Sequence, residues 1–192
     1  SKLHDLIEPQ IEEYENSWYD FLIYGSNYTK VKKYFELMKF KKCSELIDYF
    51  TTAFVFKLQT SKKSIITYIP SSLKNKLKKG FDFSNLIANK ISDELEIPIY
   101  NMFKNNFLIK ETKGMNKHER SLFSKNKITL KKISNIDVDS FDIIYVIDDI
   151  ITTGGTMQNA CKLLRKKFPD KNIVAICLSK TKAQICYEKD IL

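Results

Sequence analysis

Two adjacent acidic residues, three threonines and two glycines lie within nine residues, and this combination indicates an anion-binding site. The stretch reads Asp148-Asp149-Ile150-Ile151-Thr152-Thr153-Gly154-Gly155-Thr156. Glycine permits positive φ and a close approach of the backbone to a ligand. Consecutive N–H groups at the start of a helix bind phosphate, because the positive end of the helix dipole lies behind them. The threonine hydroxyls add donors, so the stretch predicts a phosphate-binding turn.

The two carboxylates need a different function, because they would repel a bare phosphate. They could bind the hydroxyls of a sugar, a divalent cation, or both. A ligand with a sugar between two phosphorylated ends, together with a divalent cation, would satisfy every polar group of the stretch.

Two other interpretations of residues 148–156 remain open. An apolar strand that ends in two acidic residues also resembles the magnesium-binding strand of a P-loop NTPase. That class requires a G-x-x-x-x-G-K-[ST] loop, and none of the five glycines of the chain is arranged in this way. The second alternative is an acidic helix cap beside a tight turn that binds nothing. Neither explains why so many polar and small residues are concentrated there.

The flanking sequence predicts a βαβ unit around this stretch. Residues 141–147 are apolar except for Asp142, which is typical of a strand buried on both faces of a parallel sheet. Residues 157–168 have apolar residues at offsets of three and four, which predicts a helix with one buried stripe. Pro169 ends this helix, and a second apolar run covers 173–178.

The rest of the chain predicts an open, mostly parallel α/β sheet flanked by helices. We expect strands at 18–24, 64–69 and near 97–102, with a turn at 25–27 after the first of them. We expect helices at 30–40, 43–57 and 84–95. Residues 1–15 form an acidic amphipathic segment of uncertain structure. A single domain is expected over 1–192, with an N-terminal strand and helical part at 1–60 and a ligand-binding core at 61–181.

A second loop is expected at the same edge of the sheet. Pro70, Ser71 and Ser72 follow the strand at 64–69, and ligands in open α/β sheets bind outside the carboxyl ends of the strands. Four lysines between 74 and 79 follow; they either neutralise a pyrophosphate or are solvated surface charge.

Residues 104–120 are polar and are a candidate mobile loop over the site. His118 is a candidate general base in this loop, although a lone loop histidine is more often a surface residue. Arg120, one of two arginines, has a guanidinium that suits a phosphate.

Charge and composition narrow the classes of protein. The net charge of +9 would attract polyphosphates or nucleic acid. Lysine greatly outnumbers arginine, however, which also fits a compositional bias of the whole chain. The apolar runs are too short to span a bilayer. The four cysteines form no C-x-x-C pair, so we expect no zinc, buried reduced thiols at Cys161 and Cys177, and a cytoplasmic protein.

The thirteen residues 144–156 resemble the signature of type I phosphoribosyltransferases that binds 5-phosphoribosyl 1-diphosphate (PRPP). That signature consists of four apolar residues, two acidic residues, two further residues and Thr-Thr-Gly-x-Thr. The resemblance implies a type I phosphoribosyltransferase-like fold and Mg²⁺ carried mainly by PRPP. It also implies that Asp148 and Asp149 are catalytic residues that hold the ribose hydroxyls and are candidate Mg²⁺ ligands. The implied 5-phosphate site consists of Thr152, Thr153, Gly154, Gly155 and Thr156.

Four further segments are similar, in order and spacing, to the ComF-like competence family: residues 37–40, 69–72, 79–82 and 119–120. The family sequence Arg-Gly-Phe-Asn-Gln is replaced here by Lys79-Gly80-Phe81-Asp82-Phe83. Thr112 and Phe123 stand where the family has Gln and Asn, and its N-terminal zinc module has no counterpart in these residues. The resemblance implies a link to DNA uptake in natural transformation. We place Pro70, Ser71, Ser72, Lys79 and Arg120 on the pyrophosphate side.

The leading hypothesis is therefore a Mg²⁺-dependent, PRPP-binding phosphoribosyltransferase with an unknown acceptor. One alternative is a factor that handles single-stranded DNA, uses PRPP only as a ligand and contacts competence proteins. The other is a nucleobase salvage enzyme. A homodimer is compatible with each hypothesis. A PRPP-sensing repressor is disfavoured, because no separate helix-turn-helix domain fits before Trp18.

Overall fold

A five-stranded sheet forms the centre of the protein. The computed structural model describes residues 8–13, 18–41, 44–58, 63–71, 81–105, 128–133 and 136–181. The strands of the sheet are β1 (Gln10–Glu13), β2 (Phe21–Asn27), β3 (Ser64–Tyr68), β6 (Ile143–Ile151) and β7 (Asn172–Lys180). Their order is β1-β2-β7-β6-β3, and all neighbours are parallel except the pair β1 and β2. This topology confirms the predicted open, mostly parallel sheet.

Four helices and a small hairpin complete the described structure. The helices are α1 (Tyr28–Lys41), α2 (Ser44–Lys57), α3 (Phe83–Leu95) and α4 (Gly155–Lys167). The hairpin pairs β4 (Phe103–Asn105) with β5 (Ile128–Leu130), and a 3₁₀ turn spans Val138–Ser140. The four predicted helices are confirmed to within two residues at each end. Among the described helices, none has the length and apolarity that crossing a membrane would require.

Helices cover both faces of the sheet, and alternate residues of each strand therefore enter different cores. In β6, Tyr145 and Ile147 pack in the core with α1, α2 and α3. Ile144 and Val146 pack in the other core with α4 and the hairpin. Burial on both faces explains why β6 and β7 are continuous apolar runs rather than alternating sequences.

The predicted turn at 25–27 is wrong, because β2 continues through these residues to Asn27. Trp18 lies in the bend before β2 rather than in the strand. A Cβ atom at Gly25 would lie 2.7 Å from the backbone oxygen of Leu178 and 3.1 Å from the Phe54 ring. The glycine is therefore required by close packing inside a strand, which is the other common function of a strand glycine.

The strand predicted near 97–102 is also wrong. This segment makes a single parallel bridge, in which Ile66 N donates to Pro98 O at 2.9 Å and Tyr100 N donates to Ile66 O at 2.8 Å. Pro98 has no N–H to extend the ladder. Three short strands were not predicted: β1, within the segment called uncertain, β4, which includes Lys104 of the predicted polar loop, and its hairpin partner β5.

Candidate ligand-binding site

The acidic residues belong to a strand, and the phosphate-binding turn is only three residues long. β6 continues through Asp148 and Asp149 to Ile151, and residues 152–154 connect it to α4. Gly154 has φ 81° and ψ −13°, in the left-handed region that other residues rarely adopt. Gly155 is the first residue of α4, and positive φ occurs at Gly154 alone of these two glycines. Of the two glycines, Gly154 therefore uses the positive φ that glycine permits.

This turn leaves the start of α4 available to an anion. Gly154 is the N-cap residue of α4 and has no side chain with which to cap the helix. The first N–H groups of a helix have no partner within the helix itself. They lie beside a cleft of about 40 Å³, lined by Asp148 and residues 150–157. One water needs roughly 10–15 Å³ on this scale, so the cleft has room for a group no larger than a phosphate.

Thr181, immediately after β7, fixes the position of the turn. Its hydroxyl donates to Thr152 O at 3.0 Å, and its backbone N donates to Ile151 O at 2.9 Å. At the other end of the turn, Gln158 N donates to Gly154 O at 2.9 Å. The turn is held at both ends, and the sequence analysis did not identify Thr181.

The start of α3 and the local backbone orient the two carboxylates. Asp148 Oδ1 accepts hydrogen bonds from Ser84 Oγ at 3.2 Å and from Asp149 N at 2.8 Å. Asp149 Oδ1 accepts from Ile150 N at 2.7 Å. Both acidic residues are half-buried, whereas Ser84 is fully buried. Ser84 was missed because nothing in its local sequence indicates a contact with a residue 64 positions away.

The loop after β3 opens on the same edge, as predicted. β3 is the parallel neighbour of β6, and Ile69 N donates to Ile147 O at 2.8 Å. Pro70 is buried and Ser71 is half-buried. The described part of the predicted pyrophosphate side therefore lies beside the turn at 152–154. Ser72, Lys79, Arg120 and His118 lie outside the described residues.

Two further side chains contact this second loop. Asn105, the last residue of β4, donates through Nδ2 to Pro70 O at 2.9 Å. The Asp82 carboxylate accepts from Ser71 N, at 3.3 Å to Oδ1 and 3.2 Å to Oδ2. A negative charge therefore lies on an N–H group of the loop that was predicted to bind pyrophosphate. Neither residue was predicted to belong to the site, although the family comparison had marked Asp82 as a departure.

A larger cavity lies elsewhere and has different chemistry. It has a volume of about 450 Å³ and is lined mainly by apolar side chains of β1, β2 and the end of α2, including Ile11, Ile23 and Phe56. Among the described residues that line it, Lys57 is the one cation. The larger volume of this cavity does not make it the candidate phosphate site, because phosphate binding requires hydrogen-bond donors and the positive end of a helix dipole.

The two described cysteines are buried structural thiols, as predicted. Cys161 and Cys177 are fully buried and free. Burial raises the pKa of both thiols far above the ordinary value, and for Cys177 the charge of the neighbouring Asp148 raises the pKa further. Because the thiolate is the reactive form, neither thiol is a nucleophile or a metal ligand at neutral pH.

The site can hold a divalent cation only with the help of a ligand. The described residues contain no cluster of three or more histidine, cysteine or acidic side chains. Asp148 and Asp149 offer carboxylate oxygens at one edge, and Mg²⁺ typically binds one or two carboxylates together with substrate phosphates. The donor set therefore fits Mg²⁺ bound to a phosphorylated ligand.

Comparisons with known proteins give similarity of fold. No protein-family model matches the chain, and no curated protein matches it significantly. Among solved structures, the xanthine-guanine-hypoxanthine phosphoribosyltransferase of Helicobacter pylori is 15% identical, with 76% of this chain and 79% of that chain covered and a TM-score of 0.48.

Two further solved structures are similar at the same level. A purine phosphoribosyltransferase of Pyrococcus horikoshii is 20% identical, with 70% and 71% covered and a TM-score of 0.43. The adenine phosphoribosyltransferase of Trypanosoma brucei, in complex with AMP, pyrophosphate and ribose-5-phosphate, is 14% identical, with 98% and 83% covered and a TM-score of 0.38. Function therefore has to be inferred from the site itself.

Proposed function

We propose that this protein binds PRPP with Mg²⁺ and transfers the phosphoribosyl group to an acceptor. The observation that carries the proposal is the arrangement at the end of β6. Two oriented carboxylates lead into a three-residue turn whose Gly154 opens α4 beside a phosphate-sized cleft. Carboxylates and a helix N-terminus side by side suit a ligand that presents sugar hydroxyls and a phosphate together.

Each part of the ligand then has a place at the edge of the sheet. The 5-phosphate lies on the N–H groups of α4 and the hydroxyls of the turn. Asp148 and Asp149 accept hydrogen bonds from the ribose hydroxyls and share the cation. The diphosphate lies toward Pro70 and Ser71, because β3 is the next strand to β6.

In the proposed reaction, the bond between ribose C1 and the diphosphate oxygen breaks, and the electron pair leaves with pyrophosphate. A lone pair of the acceptor forms the new bond to C1, and the acceptor loses a proton. Mg²⁺ would neutralise negative charge that develops on the leaving group. The carboxylates stabilise the positive charge that develops on the ribose ring and keep its hydroxyls in position.

Calorimetric titration of PRPP with Mg²⁺ tests this proposal directly. The wild type should bind, and an Asp148→Asn/Asp149→Asn double variant should lose at least about tenfold in affinity, because two charged hydrogen-bond acceptors are removed. Far-UV circular dichroism must show that the variant is folded. A folded wild type that binds neither PRPP nor ribose 5-phosphate would refute the proposal.

The acceptor separates the proposed transferase from its alternatives. We propose the ComF-like assignment, with a function in DNA uptake, on sequence similarity and on the charge of +9. A PRPP-dependent change in affinity for single-stranded DNA supports that assignment, and an affinity that PRPP does not alter contradicts it. Consumption of PRPP with one nucleobase from a panel would instead identify a salvage enzyme.

A further inference from the structure

Asp82 occupies the capping position of α3 but does not cap the helix. Its backbone has φ −99° and ψ 109°, the extended conformation typical of an N-cap residue. An aspartate there normally accepts a hydrogen bond from the second or third N–H of its own helix. The Asp82 side chain makes no such bond with α3. It contacts instead the N–H of Ser71, eleven positions earlier.

The Asp82 carboxylate contacts the Ser71 N–H as a bound anion would. A carboxylate at 3.2 and 3.3 Å from a backbone N–H satisfies the donor that a diphosphate oxygen would otherwise use. The same carboxylate adds to the effect of burial in raising the pKa of Tyr68, the last residue of β3, so its negative charge acts at this end of the strand. A diphosphate cannot take the Ser71 N–H while the carboxylate is on it.

We propose that the Asp82 carboxylate occupies the position of a diphosphate oxygen when no ligand is bound. A diphosphate displaces this carboxylate from the Ser71 N–H onto the N-terminus of α3. The backbone of Asp82 already has the capping conformation, so rotation of the side chain can bring its carboxylate to the first N–H groups of α3. A capping bond then offsets only part of the hydrogen bond lost at Ser71. Asp82 thus lowers the affinity for diphosphate and keeps the loop in place when no ligand is bound. This inference rests on the proposed function, because it assigns the diphosphate to the Ser71 loop.

Two substitutions distinguish a capping switch from simple removal of charge. Asn caps helices about as well as Asp, whereas Ala does not. Asp82→Asn should therefore weaken the hold on Ser71, retain the cap in the bound state and bind pyrophosphate at least about threefold more tightly than the wild type. Asp82→Ala should gain less, because its bound state lacks the cap. If both variants gain equally, charge alone explains the effect and the capping switch is refuted.

The titrations use inorganic pyrophosphate at a fixed Mg²⁺ concentration. Asp93→Asn is the matched control, because it removes the same charge from an exposed position of α3, where it should leave the affinity unchanged. Pyrophosphate affinity that is absent or identical in wild type and both Asp82 variants overturns the inference.

Two further measurements separate this inference from the proposed function. Ribose 5-phosphate probes the 152–156 turn without the diphosphate side, and its affinity should not change in the Asp82 variants. Absence of ribose 5-phosphate binding in the wild type counts against the proposed function, not against the capping switch. Amide hydrogen exchange by NMR supplies the direct test. On addition of pyrophosphate, exchange at Ser84 and Asn85, in the first turn of α3, should slow in the wild type but not in Asp82→Ala.

Discussion

The Ser84 hydroxyl donates a hydrogen bond to the Asp148 carboxylate at 3.2 Å, and this contact joins the start of α3 to the acidic end of β6. The same helical turn begins at Asp82, which holds the Ser71 N–H. One turn of α3 therefore contacts both the ribose side and the diphosphate side of the proposed site. The first prediction tests this relationship.

Ser84→Ala should weaken PRPP binding about threefold to tenfold, because Asp148 loses a donor that orients it but keeps the bond from Asp149 N. Isothermal titration measures the effect. The matched control is Ser92→Ala, in the same helix, which removes a hydrogen bond of 2.6 Å to Ile97 O far from the site. Ser92→Ala should lower stability without changing PRPP affinity; equal losses of affinity in the two variants would contradict the assigned function of Ser84.

Thr181→Val should weaken ribose 5-phosphate binding by a similar factor, because the carbonyl of Thr152 loses the hydroxyl that holds the turn. Thr181→Ser keeps this hydroxyl and should retain wild-type affinity. Titration of both variants with ribose 5-phosphate decides the question. A Thr181→Val variant with wild-type affinity would contradict the prediction, and a Thr181→Ser variant as weak as Thr181→Val would mean that the hydroxyl alone does not position the turn.

Gly25→Ala should destabilise the protein by about 1–3 kcal/mol, because the new methyl group would meet the backbone oxygen of Leu178 at 2.7 Å and the Phe54 ring. Gly155→Ala is the comparison: its Cβ would have its nearest neighbour at 3.9 Å, and Ala favours a helix more than Gly does. Urea unfolding should show a loss only for Gly25→Ala. Equal stability of both variants would show that the strand adjusts to the methyl group.

Asp20 is expected to stabilise the junction of β2, α4 and β7. Its carboxylate accepts two hydrogen bonds from Arg165, at 2.8 and 3.0 Å, and one from Ile173 N at 2.7 Å. Asp20→Asn should lower the free energy of unfolding by about 1–2 kcal/mol, since the charged contact of the carboxylate with Arg165 Nη2 is lost. Asp48→Asn breaks the more exposed pair with Lys90 and should cost less than about 1 kcal/mol. Urea titrations that rank the two variants in the opposite order would contradict this prediction.

Cys161 and Cys177 should resist alkylation by iodoacetamide at pH 8 in the native protein and react in urea. Burial raises the pKa of both thiols, so the reactive thiolate does not form in the folded state. The raised pKa values also affect the pH dependence of stability. As pH rises, the thiols ionise first in the unfolded state, so the free energy of unfolding falls above their ordinary pKa. Peptide mass spectrometry reports each cysteine separately. Rapid native labelling of Cys177 would indicate that β7 opens.

The mostly parallel sheet and all four described helices could be predicted, because long segments show their secondary structure in the spacing of their apolar residues. Residue types alone also predict an anion-binding turn and two carboxylates for sugar or metal at residues 148–156. Short or solitary features could not be predicted in this way. Gly25 looked like a turn residue because the sequence does not show that Leu178 packs against it. Side-chain hydrogen bonds that span 64, 11 and 29 positions are made by Ser84, Asp82 and Thr181. No local sequence pattern predicts such contacts.

The pairing of β2 with β7 has a consequence for synthesis of the chain. Leu22 lies opposite Ala175, and β7 also lies between β2 and β6 in the sheet. The ribosome must therefore make the whole segment from β2 to the end of β7 at Lys180 before β2 has its parallel partner, while α1 and α2 can already form. Contacts between such distant segments slow folding and leave apolar strands exposed in the meantime. During translation, the nascent chain should depend on chaperones until the last described strand has emerged.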